Sequence, residues 1–224
     1  LTNIIISNNS AGVGNGGGMF CWKVNSNVVL NNVDIIDNDA HYGGGIQFTN
    51  NASANFTNVS ITGNIATNEN WGTGGGINCQ HGTTLNFENV TIQNNSAPYS
   101  GGGICAVGSE TSLFIFDNVT ISGNSAVFGG GVYTGNFNSS TMTNVTISSN
   151  TASDDGGGIW CYGNSSTSLV NCILWNNSPE EIYTDNSYPT LTYSNIQGGW
   201  EGTGNIDADP LFFDAGNSDY HLSN

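Results

Sequence analysis

One unit recurs along almost the whole chain. An Asn opens a run in which apolar residues alternate with hydroxyls, a second Asn follows six positions later, and a triple glycine comes soon after. The clearest copy, Asn118 to Val132, reads NVTISGNSAVFGGGV. Other copies start at Asn3, Asn32, Asn58, Asn89, Asn144 and, in degenerate form, Asn171, so that successive starts lie 26 to 31 residues apart. Six copies lead into a triple glycine, beginning at Gly16, Gly43, Gly74, Gly101, Gly129 and Gly156. A fixed period of this size marks a solenoid, a propeller or an array.

The apolar pattern inside the unit chooses among these. Val119-Thr120-Ile121-Ser122 alternates with strand period, as do Val59 to Thr62, Val90 to Gln93 and Val145 to Ser148. A second strand follows each triple glycine, as in Ile46-Gln47-Phe48 and Ile159-Trp160-Cys161. A third precedes each opening Asn, as in Leu85-Asn86-Phe87. A propeller blade needs four antiparallel strands, and no stretch has the apolar spacing of an amphipathic helix. The expected fold is all-β: a right-handed parallel β-helix of about seven coils, each of three short strands. Residues 1–170 read as regular repeats and 171–224 as degenerate terminal coils of the same helix.

Stacking gives the repetition its physical meaning. One coil cannot bury its inner face alone, and neighbours about 4.8 Å above and below complete its hydrogen bonds and core. Like side chains then form columns. Leu30, Phe56, Phe87, Phe116, Met142 and Leu169 are expected in one interior column, and Ile6, Ile35, Ile61, Ile92, Ile121 and Ile147 in another. Asn9, Asn38, Asn64, Asn95, Asn124, Asn150 and Asn177 are expected to form a structural ladder at a bend, since an amide both donates and accepts. The Ala two residues later marks a tight inner corner, and the glycines supply the turn after it.

GGGI, with a hydrophobic residue and an Asn three positions later, resembles the GGA(I/L/V) and FxxN repeats of chlamydial polymorphic membrane proteins. It also resembles the wider pectate-lyase-like group of right-handed β-helix repeat proteins on bacterial surfaces. The closing stretch runs from YSNIQGG at Tyr193 through GNIDADPLF at Gly204 to DYHL at Asp219. It resembles the final coil of large secreted β-helix proteins, some of which carry a C-terminal secretion-sorting domain. The resemblance implies the fold and an extracellular setting. It leaves the activity open, because such scaffolds host adhesins, lyases, hydrolases and spacers.

Charge narrows the partners. Lys23 is the single basic residue against 17 acids, for a net charge of −16, yet only 8% of residues are charged. A chain with no basic patch cannot neutralise nucleic-acid phosphates. Anionic membrane surfaces would repel it, and no apolar run is long enough for direct membrane insertion. Polyanionic glycans are disfavoured unless a cation bridges them, which leaves neutral glycans or other protein chains. Of the five cysteines, Cys21, Cys79 and Cys161 occupy one inward position in coils too far apart to bridge. Cys105 is expected to point outward and Cys172 to sit in another strand, so all five are expected as thiols. With no leader and a start in mid-repeat, the chain reads as a mature or excised piece whose first coil has no visible cap.

Several groups are candidates for function. Asp37/Asp39 and Asp154/Asp155 are acids, but at bends four coils apart, too far for a glycosidase pair. A pectate-type lyase needs a basic proton abstractor beside a Ca²⁺ cluster. Lys23 has no acid cluster on its coil, and His41, His81 and His221 are isolated. Asp207, Asp209, Asp214 and Asp219 are oxygen ligands close in sequence, and Ca²⁺ is the cation they would suit. Phe20, Trp22, Tyr133, Trp160 and Tyr162 are expected on an outward face after the triple glycines, flanked by amides, as a surface for sugar or for another chain. Ser60/Thr62, Thr91/Gln93, Thr120/Ser122 and Thr146/Ser148 form an outward hydroxyl array that resembles ice-binding ranks, though coils one and two break it. Among many Asn-x-Ser/Thr sites, Asn51, Asn138 and Asn164 fall in loops and are the expected glycosylation positions. The sum is a non-catalytic β-helix, secreted or on a cell surface, acting as adhesin or structural rod and associating with itself end to end or with a longer β-helix. The alternative is a carbohydrate-active β-helix that binds or cleaves a neutral polysaccharide.

Overall fold

The computed structural model describes residues 1–23, 27–108 and 110–223. It is a right-handed parallel β-solenoid of about seven turns. Two sheets carry it. The larger is built mainly of ten-residue strands, Asn27–Ile36, Ser53–Thr62, Thr84–Gln93, Leu113–Ser122 and Ser139–Ser148, each pairing in parallel with the coil above and below. The smaller is built of the short strands after the glycines, from Met19–Trp22 to Ile182–Asp185. The short strands expected on either side of each opening Asn therefore run together. The Asn between them bends the strand by taking a left-handed backbone, φ 54° at Asn58 and 55° at Asn89 and Asn118. Asn tolerates that region better than other side-chain-bearing residues.

The register stacks like on like. Leu30 pairs with Phe56, Phe56 with Phe87, Phe87 with Phe116, Phe116 with Met142 and Met142 with Leu169. The rings of Phe56, Phe87 and Phe116 lie face to face, with centroids 4.7 Å apart at each step. The isoleucine column runs in file from Ile6 to Ile147 and continues to Leu174 and Ile196.

At the bend after the long strand the seven asparagines form a ladder of one polarity. The backbone N–H and Nδ2 of Asn95 both donate to Oδ1 of Asn124, at 2.9 and 3.0 Å. Nδ2 of Asn95 also donates backwards to the carbonyl of Ile61 at 2.9 Å. The same pattern joins Asn9 to Asn38, Asn38 to Asn64, Asn64 to Asn95, Asn124 to Asn150 and Asn150 to Asn177. Each side chain from Asn38 to Asn177 is buried, so each donor must find its acceptor inside the protein. Asn177, the last rung, donates both its N–H and its Nδ2 to the two carboxylate oxygens of Glu181, which closes the ladder.

The triple glycine follows from this packing. Gly101 takes φ +62°, in the left-handed region. A Cβ on Gly102 would lie 2.4 Å from the carbonyl oxygen of Ser125. A Cβ on Gly103 would lie 3.2 Å from Cγ of Asn124, the ladder rung of the next coil. One glycine thus serves the turn, and the other two allow coil-to-coil approach.

Terminal coils do not continue to the end of the chain, as the sequence pattern had implied. Stacking ends near Ile206, which bridges Asn195. There Asn195 and Ala208 exchange two hydrogen bonds, 2.7 and 3.1 Å, and the chain turns back. Phe212–Asp214 and Asp219–Leu222 then form an antiparallel hairpin, with the rings of Phe212 and Tyr220 edge to face at 5.1 Å. This hairpin lies against the outer side of the large sheet, lining clefts with Thr91, Thr120, Thr146 and Ser148.

Two measurements test the ladder. Asn124→Ala strips the acceptor from both Asn95 donors and the donor from the Ile92 carbonyl. It is expected to cost about 3 kcal/mol or more in denaturant unfolding, since each unpaired buried group costs about 1–3 kcal/mol. Asn118→Ala loses an exposed bond and keeps a strained backbone, and is expected to cost about 1–2 kcal/mol, which Asn118→Gly largely avoids. Glu181 supplies the second test. Burial, opposed by the Asn177 and Asn176 bonds, raises its carboxyl above the usual 4.5. The folded state therefore binds the proton more tightly, and this contribution is complete below 4.5 and is lost as pH rises through the folded value. The melting-temperature difference between wild type and Glu181→Gln, which does not titrate, is expected to fall as pH climbs from 4.5 to neutrality.

Candidate functional site

Three outward surfaces carry the chemistry. The first is the back of the small sheet. Strand alternation turns Gln47, Asn78, Cys105, Tyr133 and Trp160 away from the core, but they do not reach open solvent. Gln47, Asn78 and Cys105 are buried, and Tyr133 and Trp160 are half-buried. The corner segment before each triple glycine folds over this column. Its aromatics Trp71, Tyr99 and Phe128 meet edge to face along the axis, at 5.2 and 5.5 Å, and Phe128 lies tilted against Trp160 of the strand at 4.3 Å. Tyr133 and Tyr183 close on Trp160 at 5.0 and 5.5 Å.

This corrects the expected aromatic face. Tyr133 and Trp160 belong to a zipped corner, not an open platform. Tyr162 stands beside them and is partly exposed. Phe20 and Trp22 lie in the first coil, exposed and well removed from the others. Cys105 likewise points outward but is covered by the corner, its sulfur 3.4 Å from Ser100 Oγ. Alternation tells which face of a sheet a residue takes; it does not tell what covers that face. Trp71, Tyr99 and Phe128, set one to three residues before a glycine triplet, were the unused signal.

The second surface is the outer side of the large sheet beyond the bend. Thr91, Thr120 and Thr146 stand in register, one per coil, beside Gln93, Ser122 and Ser148. The expected open hydroxyl array is not open. Ser122 and Ser148 are buried, and the terminal hairpin lies across the threonines. A cavity of about 350 Å³ remains between them, floored by Thr91, Gln93, Thr120 and Thr146 and walled by Ser218 to His221. On that wall Asp219 Oδ1 accepts from the backbone N–H of His221 and meets its Nδ1 at 2.6 Å. The His221 side chain holds the Asp219 carboxyl below its ordinary value.

The third surface lies before the bend. Glu88 and Asp117 are cross-strand partners in neighbouring coils. They border a groove of about 270 Å³ with Asn55, Thr57, Asn86 and Ile115. Asn144 Nδ2 donates to Asp117 Oδ1 at 3.1 Å. Sequence reasoning passed over this pair, although both acids stand directly before an opening Asn. Those opening asparagines form a second, exposed amide ladder: Asn32 to Asn3, Asn58 to Asn32, Asn89 to Asn58 and Asn118 to Asn89, at 2.7 to 3.2 Å.

The proposed Ca²⁺ ligands are not gathered. Asp209 caps Leu211, Asp214 binds Asn217 and Asp219 binds His221, each within its own turn, while Asp207 is exposed. Among the described residues no group of three or more His, Cys, Asp or Glu comes together to hold a metal. Asp37/Asp39 and Asp154/Asp155 remain on coils two and six. Of the glycosylation candidates, Asn51 and Asn164 are exposed on left-handed turns. Asn138 is fully buried, its Oδ1 accepting from Ser112 N–H and its Nδ2 donating to the Ala106 carbonyl, so it is not an acceptor for a glycan. No described helix is long and apolar enough to cross a membrane.

All five thiols are free and buried. Burial pushes Cys21, Cys161 and Cys172 up to about 11 and Cys105 up to about 12. The reactive thiolate is therefore scarce at neutral pH. A water-soluble disulfide reagent is expected to titrate no thiol in the native protein and five after unfolding.

A family model described as right handed beta helix region matches residues 75–204, more than half of the chain. No curated protein matches the chain, and no solved structure does.

Proposed function

This chain belongs to the right-handed β-helix family, and from that premise we propose that it works outside the cell, secreted or on a cell surface, as a non-catalytic adhesive rod. Its partners are neutral extracellular glycans or other protein chains. The observation that carries this reading is the sameness of the outer surface from coil to coil. The exposed opening asparagines Asn3, Asn32, Asn58, Asn89 and Asn118 occupy one register position in successive coils. A solenoid that repeats one neutral donor-and-acceptor set along its axis suits many weak contacts made together. A single basic residue and the low share of charge support uncharged partners over polyanions.

Side-by-side association fits this chain better than end-to-end stacking. The ladder is polar: a second copy's Asn9 Oδ1 would have to accept from Asn177. Glu181 already takes both Asn177 donors.

A second reading, cleavage of a neutral polysaccharide, draws on Glu88 and Asp117. Their side chains project from adjacent strands about 4.8 Å apart, near the carboxylate separation of a retaining glycosidase, about 5–5.5 Å. A reducing-sugar assay across neutral polysaccharides, run beside a glycan array and light scattering, separates the two. The adhesive reading expects binding without turnover. Turnover that disappears in both Glu88→Gln and Asp117→Asn would replace it with the enzymatic one.

A further inference from the structure

The cavity beneath the terminal hairpin is closed on two sides, by the large sheet and by the hairpin. Its floor is part of the repeated lattice, and its wall is a hairpin that does not repeat. From this we infer that it is a binding site for a single uncharged sugar ring, a specific seat within the otherwise uniform surface. The inference rests on the adhesive reading and names the ligand class of one site in it.

The floor offers alternating hydroxyls and amides at coil spacing. Thr91, Thr120 and Thr146 stand in one file, with the amides of Gln93, Asn118 and Asn144 beside them. Each hydroxyl both donates and accepts, and so does each amide, which is the pattern that a polyol requires. The wall adds an aromatic ring. Tyr220 is half-buried and is held edge to face by Phe212 at 5.1 Å, so its position is set before any ligand arrives. An apolar ring beside a few convergent polar groups is the usual build of a small-molecule site. The volume, about 350 Å³, lies at the small end for such sites and suits a sugar ring rather than a long chain.

Charge selects against other ligands. Asp219 is the acid on the wall, and no Lys or Arg lines the cavity. An anionic sugar would meet that carboxylate, and the one basic group on the wall, His221, is already paired with it. The hairpin itself is attached by its own chemistry: the two Asn195–Ala208 bonds at its root and the Phe212–Tyr220 contact. None of these uses the floor threonines, so the floor can be altered without releasing the wall.

The test uses the full chain and calorimetry with the neutral mono- and disaccharides of glucose, galactose, mannose and N-acetylglucosamine. At least one is expected to bind. Thr120→Val, which removes one hydroxyl and keeps the side-chain shape, is expected to weaken that binding about tenfold, the loss of one well-made hydrogen bond. Tyr220→Ala is expected to weaken it at least as much. Thr141→Val, on the same sheet before the bend, is expected to bind as wild type. Thr120→Val is expected to melt as wild type, which checks that the fold is kept. If no neutral sugar binds, or if Thr120→Val and Tyr220→Ala both bind as wild type, the site is overturned. Sugar binding that survives both variants removes this seat but leaves the adhesive reading standing. Adhesion to protein chains alone removes the sugar site and the glycan half of that reading.

Discussion

The buried asparagine ladder is the interaction on which the rest of this architecture depends. Each rung from Asn38 to Asn150 receives two hydrogen bonds from the coil before it and gives two to the coil after it, with a further bond back to a strand carbonyl, as at Asn124. No other side chain of that size donates and accepts so evenly. The requirement that the amides coincide sets the register of every other column. Once Asn95 meets Asn124, Phe87 must meet Phe116 and Ile92 must meet Ile121. The hydrophobic columns supply most of the burial, but apolar contacts alone tolerate slippage, whereas a row of buried amides does not. The glycine triplets are a consequence, because two of the three make room for the next coil's corner and ladder rung.

The ladder also explains why the fold has a direction. Its donors point along the chain towards the C-terminal end, and a rung there needs an acceptor that does not itself demand a further one. A carboxylate satisfies both donors of Asn177 and ends the series, which another Asn in that place could not do. Burying that carboxylate has an electrostatic cost, visible in its raised proton affinity. The cost is smaller than that of leaving two buried N–H groups unpaired, provided both bonds are made.

Most of the scaffold was legible because translation by one coil turns sequence period into spatial adjacency. The spacing of Asn9, Asn38 and their successors specifies the ladder, and alternation at Val119 to Ser122 specifies which side chains face inward. What period and alternation could not supply was the content of the second layer. Cys105 and Trp160 face away from the core, yet the corner segment covers them, and that segment varies in length and composition between coils. The terminal hairpin was hidden for a related reason. Asp207 to Asp219 resembled a terminal coil in composition, but Phe212 and Tyr220 have no interior column left to enter, so they fold back onto the large sheet. Glu88 and Asp117 were missed because each looks unremarkable in its own coil; their partnership exists only across the register.

A translational solenoid faces a general difficulty in recognition. Every coil presents nearly the same groups, so affinity spread along the axis carries little positional information. Specificity has to arise where the translation is broken. In this chain the breaks are few: the left-behind aromatics of coil one, the corner row from Trp71 to Tyr183, the acid pair at Glu88 and Asp117, and the returning hairpin. The corner row is zipped ring against ring and spends its ring surfaces on one another. The acid pair lies in a groove lined by the large sheet alone, with no second wall. The hairpin combines a lattice floor with a second, non-repeating wall, and there the chain encloses a volume whose two sides differ in chemistry. The segment that breaks the repeat most completely is therefore the one that can convert a uniform surface into a selective one.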